Sequence, residues 1–239
     1  MIPGTPILML NGRPPVRLLE RLQPGPWTGS ARVGGLLPVE CGAEGEAWSR
    51  PGLLAAADGG ANALWRAGLP AGLVGGDLDS LLPEARAWHL SRGARLEELP
   101  DQDHNDLEKV LDLLAVMEVE RCWVAGFEGG RLDMLLGLAG LLESARPRLR
   151  LLGEEQVLIP LAAGRHAFTA REGEPFSLLA LAGDCVLGME GARWSAGELR
   201  LEPGCRGVSN RATGGPLVIT ARRGALLLAR RAPWAESAW

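Results

Sequence analysis

The chain has 239 residues, 46% of them hydrophobic, and a formal net charge of −4. That length holds one large domain or two modest ones with a buried core. An acidic balance offers no basic field, which argues against nucleic acid as a partner and leaves a phosphate-bearing substrate dependent on a metal ion or on local positive groups.

The four cysteines, Cys41, Cys122, Cys185 and Cys205, stand far apart with no C-x-x-C pair, so the pattern offers neither a zinc site nor a disulfide framework. The start, MIPGTPILMLNGRPP, lacks the basic and long apolar regions of a secretory signal, and no apolar run is long enough to span a bilayer. A cytoplasmic protein, with no membrane partner, is expected.

Taken in chain order, PILML (6–10) predicts a first strand ended by Asn11-Gly12. Residues 11–50, rich in Pro and Gly, predict irregular or inserted surface structure. LLAAA (53–57) predicts a strand, followed by DGG and the helical stretch ANALWRAG. LVGG (73–76) predicts the next strand, then DLDS, then a helix opened by Pro83. RLEELP (95–100) reads as a strand, DQDHND as a loop, and 107–119 as a helix with Leu107, Val110, Leu111, Leu114 and Val119 on one face. RCWVAGF (121–127) predicts a buried strand, residues 132–146 a helix opened by EGGR, and 149–152 another strand.

Alternating strands and helices predict an α/β N-terminal domain with a mostly parallel sheet over residues 1–152. From Gly153 the helical period vanishes. Short apolar runs broken by Gly and Pro predict an all-β sandwich or barrel domain over 153–239.

In a parallel sheet, ligands gather at the carboxyl ends of the strands, and each acidic or glycine cluster falls at such an end. These are Asp58-Gly59-Gly60 in DGGAN, Asp77 and Asp79 in GGDLDS, Asp101, Asp103 and Asp106 in DQDHND, and Arg131 and Asp133 in EGGRLD. Asp77 and Asp79 face one point if the backbone turns at Leu78. Like charges that close need a cation between them. Oxygen ligands without His or Cys suit Mg²⁺ carrying a nucleotide polyphosphate, with Asp101, Asp103 and Asp106 adding oxygens to those of Asp77 and Asp79. The glycines of DGGAN and EGGRLD precede helices, whose first N–H groups attract anions, and the Arg131 fork fits a phosphate. Taken singly, D-x-D is more often a solvated turn or Asx-turn cap than a metal site, Asp106 is as readily a helix N-cap, and Arg131 can be a surface charge.

AADGGANAL, GGDLDS, DQDHNDLEKVL, GGRLD, GARW and GVSN, in this order, resemble the motifs of the thiamine pyrophosphokinase family. The likeness is close over 53–139 and sparse beyond, at 191–194 and 207–210. It implies an α/β domain that binds Mg·ATP, a β domain that helps to hold thiamine, and a homodimer with the active site near the subunit interface. It implies transfer of the β,γ-diphosphate of ATP to the thiamine hydroxyl, releasing AMP. Residue by residue, it places Asp77, Asp79, Asp103 and Asp106 in the metal and catalytic group. Gln102 would lie at nucleotide or thiamine, and Arg131 and Asp133 at the phosphates and acceptor. Trp194 would stack on the pyrimidine, with Ser209 and Asn210 bonding its edge. Departures from the family pattern are Met134, Leu138, Asn105 and Arg211. Two readings compete: a diphosphokinase for another heterocyclic alcohol such as a hydroxymethylpterin, and a non-catalytic nucleotide or thiamine sensor.

Overall fold

The structure is a computed structural model that describes residues 5–22, 53–101, 103–144, 148–232 and 235. These fall into two compact units that divide after Glu154.

The first unit is built on β1 (Ile7–Met9), β2 (Leu54–Ala57), β3 (Leu73–Gly76), β4 (Arg95–Glu98), β5 (Arg121–Ala125) and β6 (Arg148–Leu152). They lie in the order β4-β3-β2-β1-β5-β6, every neighbouring pair parallel. Parallel pairing forces crossovers, and the helices α2 (Gly60–Arg66), α3 (Pro83–Leu90), α4 (Asp106–Val116) and α5 (Leu132–Ser144) supply them. Strands covered on both faces read as unbroken apolar runs: Leu8, Ala55, Ala56, Val74, Val124 and Ala125 are wholly buried. The edge strand β4 departs from this, with Arg95 and Glu98 exposed, and such charges protect a free edge from pairing with other chains. Cys122 in β5 is an inert buried thiol, its pKa pushed up to about 12 by burial.

Residues 11–22 are more regular than the sequence predicts. A helix α1 (Val16–Leu22) follows Pro14-Pro15 and buries Leu18, Leu19 and Leu22. Two turns are too short to show a period in a Gly/Pro-rich window, which is why the helix was not legible. Residues 23–50 lie outside the described residues.

The second unit holds β7 (Gln156–Leu161), β8 (Gly164–Glu190), β9 (Ala196–Leu201) and β10 (Asn210–Arg231), in the order β7-β10-β8-β9. The short runs expected from the sequence are joined into two long strands. Gly173 and Gly183 in β8, and Gly214, Gly215 and Gly224 in β10, take positive φ. They bend a strand through its register shifts instead of ending it. β8 passes β10 twice. Phe176 to Gly164 face Asn210 to Ala221, and Glu190 to Phe176 face Val218 to Arg230, numbers falling along β8 as they rise along β10. Inside this unit Arg230 is buried, its Nη2 2.5 Å from Glu174 Oε1 and donating to the Thr169 carbonyl at 3.0 Å.

Candidate active site

Strand order reverses at β1. β2, β3 and β4 lie to one side and β5 and β6 to the other, so the crevice of the first unit opens beyond the carboxyl ends near β1 and β5. The loops there are sewn together. Gly12 N–H donates to Gly126 O at 2.7 Å and Arg13 N–H to Glu128 O at 2.5 Å, joining the ends of β1 and β5. Gly60 must be glycine, because a Cβ there would stand 2.2 Å from the Met9 carbonyl oxygen. A Cβ on Gly59 would stand 2.5 Å from the Asn11 side chain.

Asp58 ends β2 at φ +39, a left-handed conformation uncommon outside glycine. Its N–H donates to Gly75 O at 2.8 Å, and its Oδ2 accepts from Ser80 N–H at 3.2 Å. The residue is only 4% exposed, and Oδ1 is buried without a hydrogen-bond partner. Burial pushes its carboxyl above the ordinary range; the Ser80 hydrogen bonds oppose this and the charges of Asp106 and Asp77 reinforce it.

The loop after β3 turns at Leu78, whose φ is +62. Backbone strain of about 1–3 kcal/mol at a bulky residue is characteristic of functional sites. It is the turn that brings Asp77 and Asp79 to one point. Asp77 Oδ1 accepts from Asp79 N–H at 3.3 Å, and Ser80 Oγ donates to Asp79 Oδ1 at 3.0 Å. One carboxylate oxygen from each of Asp58, Asp77 and Asp79 lies within 4.8 Å of the others. The structure thus brings Asp58, expected only as an anion-loop residue, together with Asp77 and Asp79, while Asp103 stands outside this group. Hard oxygens and a buried, unpaired Oδ1 suit a small divalent cation such as Mg²⁺, which would supply the missing positive charge.

Asp106 approaches from α4. A Cβ on Gly76, itself at φ +141, would come within 3.0 Å of both Asp106 Oδ1 and Asp58 Cβ. Asp106 is not the helix cap. Asn105 is, in a capping box where Glu108 N–H donates to Asn105 Oδ1 at 3.0 Å and Asn105 N–H to Glu108 Oε2 at 3.2 Å. Asn105 therefore keeps a structural duty as a departure from the family pattern. The buried Lys109 ammonium lies 3.2 Å from Asp106 Oδ1. Asp103 is exposed and donates its N–H to Asp101 Oδ1 at 2.9 Å. This bond, then the His104 ring 2.5 Å from Asp101 Oδ2, holds the Asp101 carboxyl below its ordinary pKa, and Asp101 holds His104 above its own. Gln102 lies outside the described residues.

Beyond β5, Arg131 and Asp133 are exposed and joined by two bonds, Nε to Oδ1 at 3.1 Å and Nη2 to Oδ2 at 2.5 Å. The fork expected to grip a phosphate is held by its own neighbour, which raises the Arg131 pKa and lowers that of Asp133. Of the departures from the family pattern, Met134 is exposed and Leu138 is buried in the core.

In the second unit, Trp194 is 56% exposed, and the Arg193 guanidinium lies 5.0 Å from its ring centroid. Ser209 takes φ +65 and donates its N–H to Ser177 Oγ at 3.0 Å. Asn210 is buried, its Oδ1 accepting from Trp194 N–H and its Nδ2 donating to Trp194 O. Arg211 Nη1 donates to Gly173 O at 2.9 Å.

Sequence reasoning missed Asn62, although it lies inside a quoted motif. The buried side chain donates from Nδ2 to Ser80 O at 2.8 Å and accepts at Oδ1 from Leu82 N–H at 3.0 Å. An asparagine in the first turn of a helix opened by two glycines was the available signal. It also left His89 unassigned. This wholly buried ring accepts from Ala71 N–H at Nδ1 and donates from Nε2 to Ala61 O, so it is neutral, and burial lowers its pKa.

Comparison with known proteins bears out the family resemblance. The family described as "Thiamin pyrophosphokinase, catalytic domain" matches residues 45–151. Among solved structures, thiamine pyrophosphokinase from Bacillus subtilis aligns with a TM-score of 0.67 at 21% identity, over 76% of this chain and 88% of that one. A thiamin pyrophosphokinase family protein from Enterococcus faecalis gives 0.71 at 17%, over 96% and 99%. The enzyme from Candida albicans gives 0.70 at 13%, over 97% and 90%. This chain shares their fold of mixed sheet and helices.

Proposed function

We propose that this chain, whose residues 45–151 match the thiamin pyrophosphokinase catalytic domain, transfers the diphosphate of ATP to the hydroxyl of thiamine, giving thiamine diphosphate and AMP. The observation that carries the chemistry is the meeting of Asp58, Asp77 and Asp79, with one buried carboxylate oxygen unpaired.

In this reading Asp58, Asp77 and Asp79 hold Mg²⁺, whose role when bound is to neutralise the polyphosphate oxygens. The acceptor oxygen forms its bond to the β-phosphorus as the bond from that phosphorus to the α-bridging oxygen breaks, and the electron pair leaves with AMP. Such transfers depend mainly on alignment and charge neutralisation. An aspartate of the group after β3 and β4, which includes Asp103 and Asp106, orients the hydroxyl and takes its proton. Asp58, Gly59 and Gly60 lie beside the nucleotide phosphates, with Gln102 at the nucleotide or thiamine. Arg131 serves the phosphates once Asp133 turns from it toward the acceptor. Trp194 offers its exposed indole face to the pyrimidine, and Ser209 bonds the ring edge.

The protein works as a homodimer with its site near the subunit interface, and in the cytoplasm, where ATP and Mg²⁺ abound. No helix among the described residues is long and apolar enough to cross a membrane. Incubation with ATP, Mg²⁺ and thiamine should yield AMP and thiamine diphosphate in equal amounts. Product only with a hydroxymethylpterin would select a different acceptor, and ligand binding without turnover would make the chain a sensor. Sedimentation showing only monomer at working concentration would remove the dimer.

A further inference from the structure

We infer that Asn62 is a positioning residue that sets how tightly the Asp58–Asp77–Asp79 group holds its divalent cation; this rests on the metal reading above. Two of the three carboxylates lie on one loop, 77–82, and the third ends a different strand. Their spacing depends on what ties that loop to the body of the first unit. Among the described residues, side chains of only two hold its backbone from outside. Asp58 Oδ2 accepts from Ser80 N–H at 3.2 Å, and Asn62 takes Ser80 O at 2.8 Å and Leu82 N–H at 3.0 Å.

Ser80 is thereby gripped at both its N–H and its C=O. Asn62 is suited to the task because its own position is fixed. It sits in the first turn of α2, is 7% exposed, and its helix begins at Gly60 against the Met9 carbonyl. The loop has a reason to move when released, since Leu78 is held at φ +62. Mg²⁺ demands near-octahedral geometry at short range, so a modest drift of Asp77 and Asp79 away from Asp58 costs affinity. Loss of a group that orients metal ligands weakens binding by about 10–100-fold.

Manganese titration followed by the electron paramagnetic resonance signal of free Mn²⁺ tests this without turnover. Asn62→Ala removes both bonds. Leu82→Pro replaces the N–H that Asn62 accepts with a ring methylene, which turns the Asn62 amide away from the loop, while the backbone fits because Leu82 already has φ −60 and ψ 137, which proline adopts. The wild-type protein should bind Mn²⁺, and both Asn62→Ala and Leu82→Pro about 10–100-fold more weakly. Thiamine affinity by equilibrium dialysis should not change. Wild-type Mn²⁺ affinity in both variants overturns the inference and leaves the metal reading standing. Thiamine affinity falling in step with Mn²⁺ affinity overturns it too, by showing a general loss of structure. No Mn²⁺ binding by the wild-type protein removes the metal reading itself. If Asn62→Ala does not fold, Leu82→Pro decides alone.

Discussion

Asn210 grips Trp194 by its backbone from both sides, accepting from its N–H at 3.4 Å and donating to its carbonyl at 3.3 Å. Its Oδ1 also accepts from Arg211 N–H at 2.7 Å. This amide is spent within the protein, so its contribution to the proposed acceptor site is to hold the turn that presents the indole.

Trp194→Ala and Asn210→Ala should therefore differ. Stacking of a flat ring on an aromatic side chain contributes about 1–3 kcal/mol, so Trp194→Ala should weaken thiamine binding about 5–150-fold with little change in melting temperature. Asn210→Ala should weaken binding and lower stability together, since it takes away the partner of the Trp194 N–H and C=O and leaves the turn unheld. Dialysis against thiamine, with a melt of each variant, reads both. Unchanged thiamine affinity in Trp194→Ala takes this residue out of the site.

Asp77→Asn should lower kcat by about 100-fold or more while thiamine binding persists, as expected for a charge needed to organise the transferring phosphoryl group. Steady-state rates and dialysis on one preparation are sufficient. Parallel loss of folding would mark Asp77 as structural.

Asp58→Asn should separate function from stability. The wild-type carboxyl is buried and its pKa raised, so its contribution to stability is favourable below the unfolded value and lost as pH rises through the folded one. At neutral pH the substitution removes that cost and should raise the metal-free melting temperature by about 2–4 °C for each kcal/mol relieved. Mn²⁺ affinity and turnover should fall. A lower melting temperature would show that the unpaired amide costs more than the charge did.

His89 should make the first unit acid-sensitive. Protonation would set a second ring N–H against the Ala71 N–H that Nδ1 now accepts. Burial lowers its folded pKa, so the stabilisation is complete above the unfolded value of about 6.5 and is lost as pH falls through the folded value. Urea midpoints should drop as pH falls below about 6.5, and His89→Gln should flatten that drop. Equal slopes in both proteins would rule His89 out as its source.

The strands and helices of the first unit were legible because burial on both faces writes continuous apolar runs and crossovers write a helical period. Asp77 and Asp79 were legible from charge crowding alone. Asp58's place beside them was not, because it depends on β2 and β3 being neighbours and on a positive φ that no spacing reveals. Asn62 and Asn210 were hidden for a related reason: each bonds backbone groups about eighteen or sixteen residues away, a relation set by topology. The two long strands of the second unit were misread as several because a glycine that bends a strand and one that ends it look alike in sequence.

β10 is the common neighbour of β7 and of both stretches of β8. During synthesis the chain has completed every carboxylate of the proposed cation-binding group long before that strand leaves the ribosome. The Trp194 turn, by contrast, waits on Asn210, the first residue of β10, for its anchor. A nascent or prematurely stopped chain can thus possess the acidic loops before the proposed indole platform is anchored, and both stretches of β8 lack their β10 partner until the ribosome has passed Arg231.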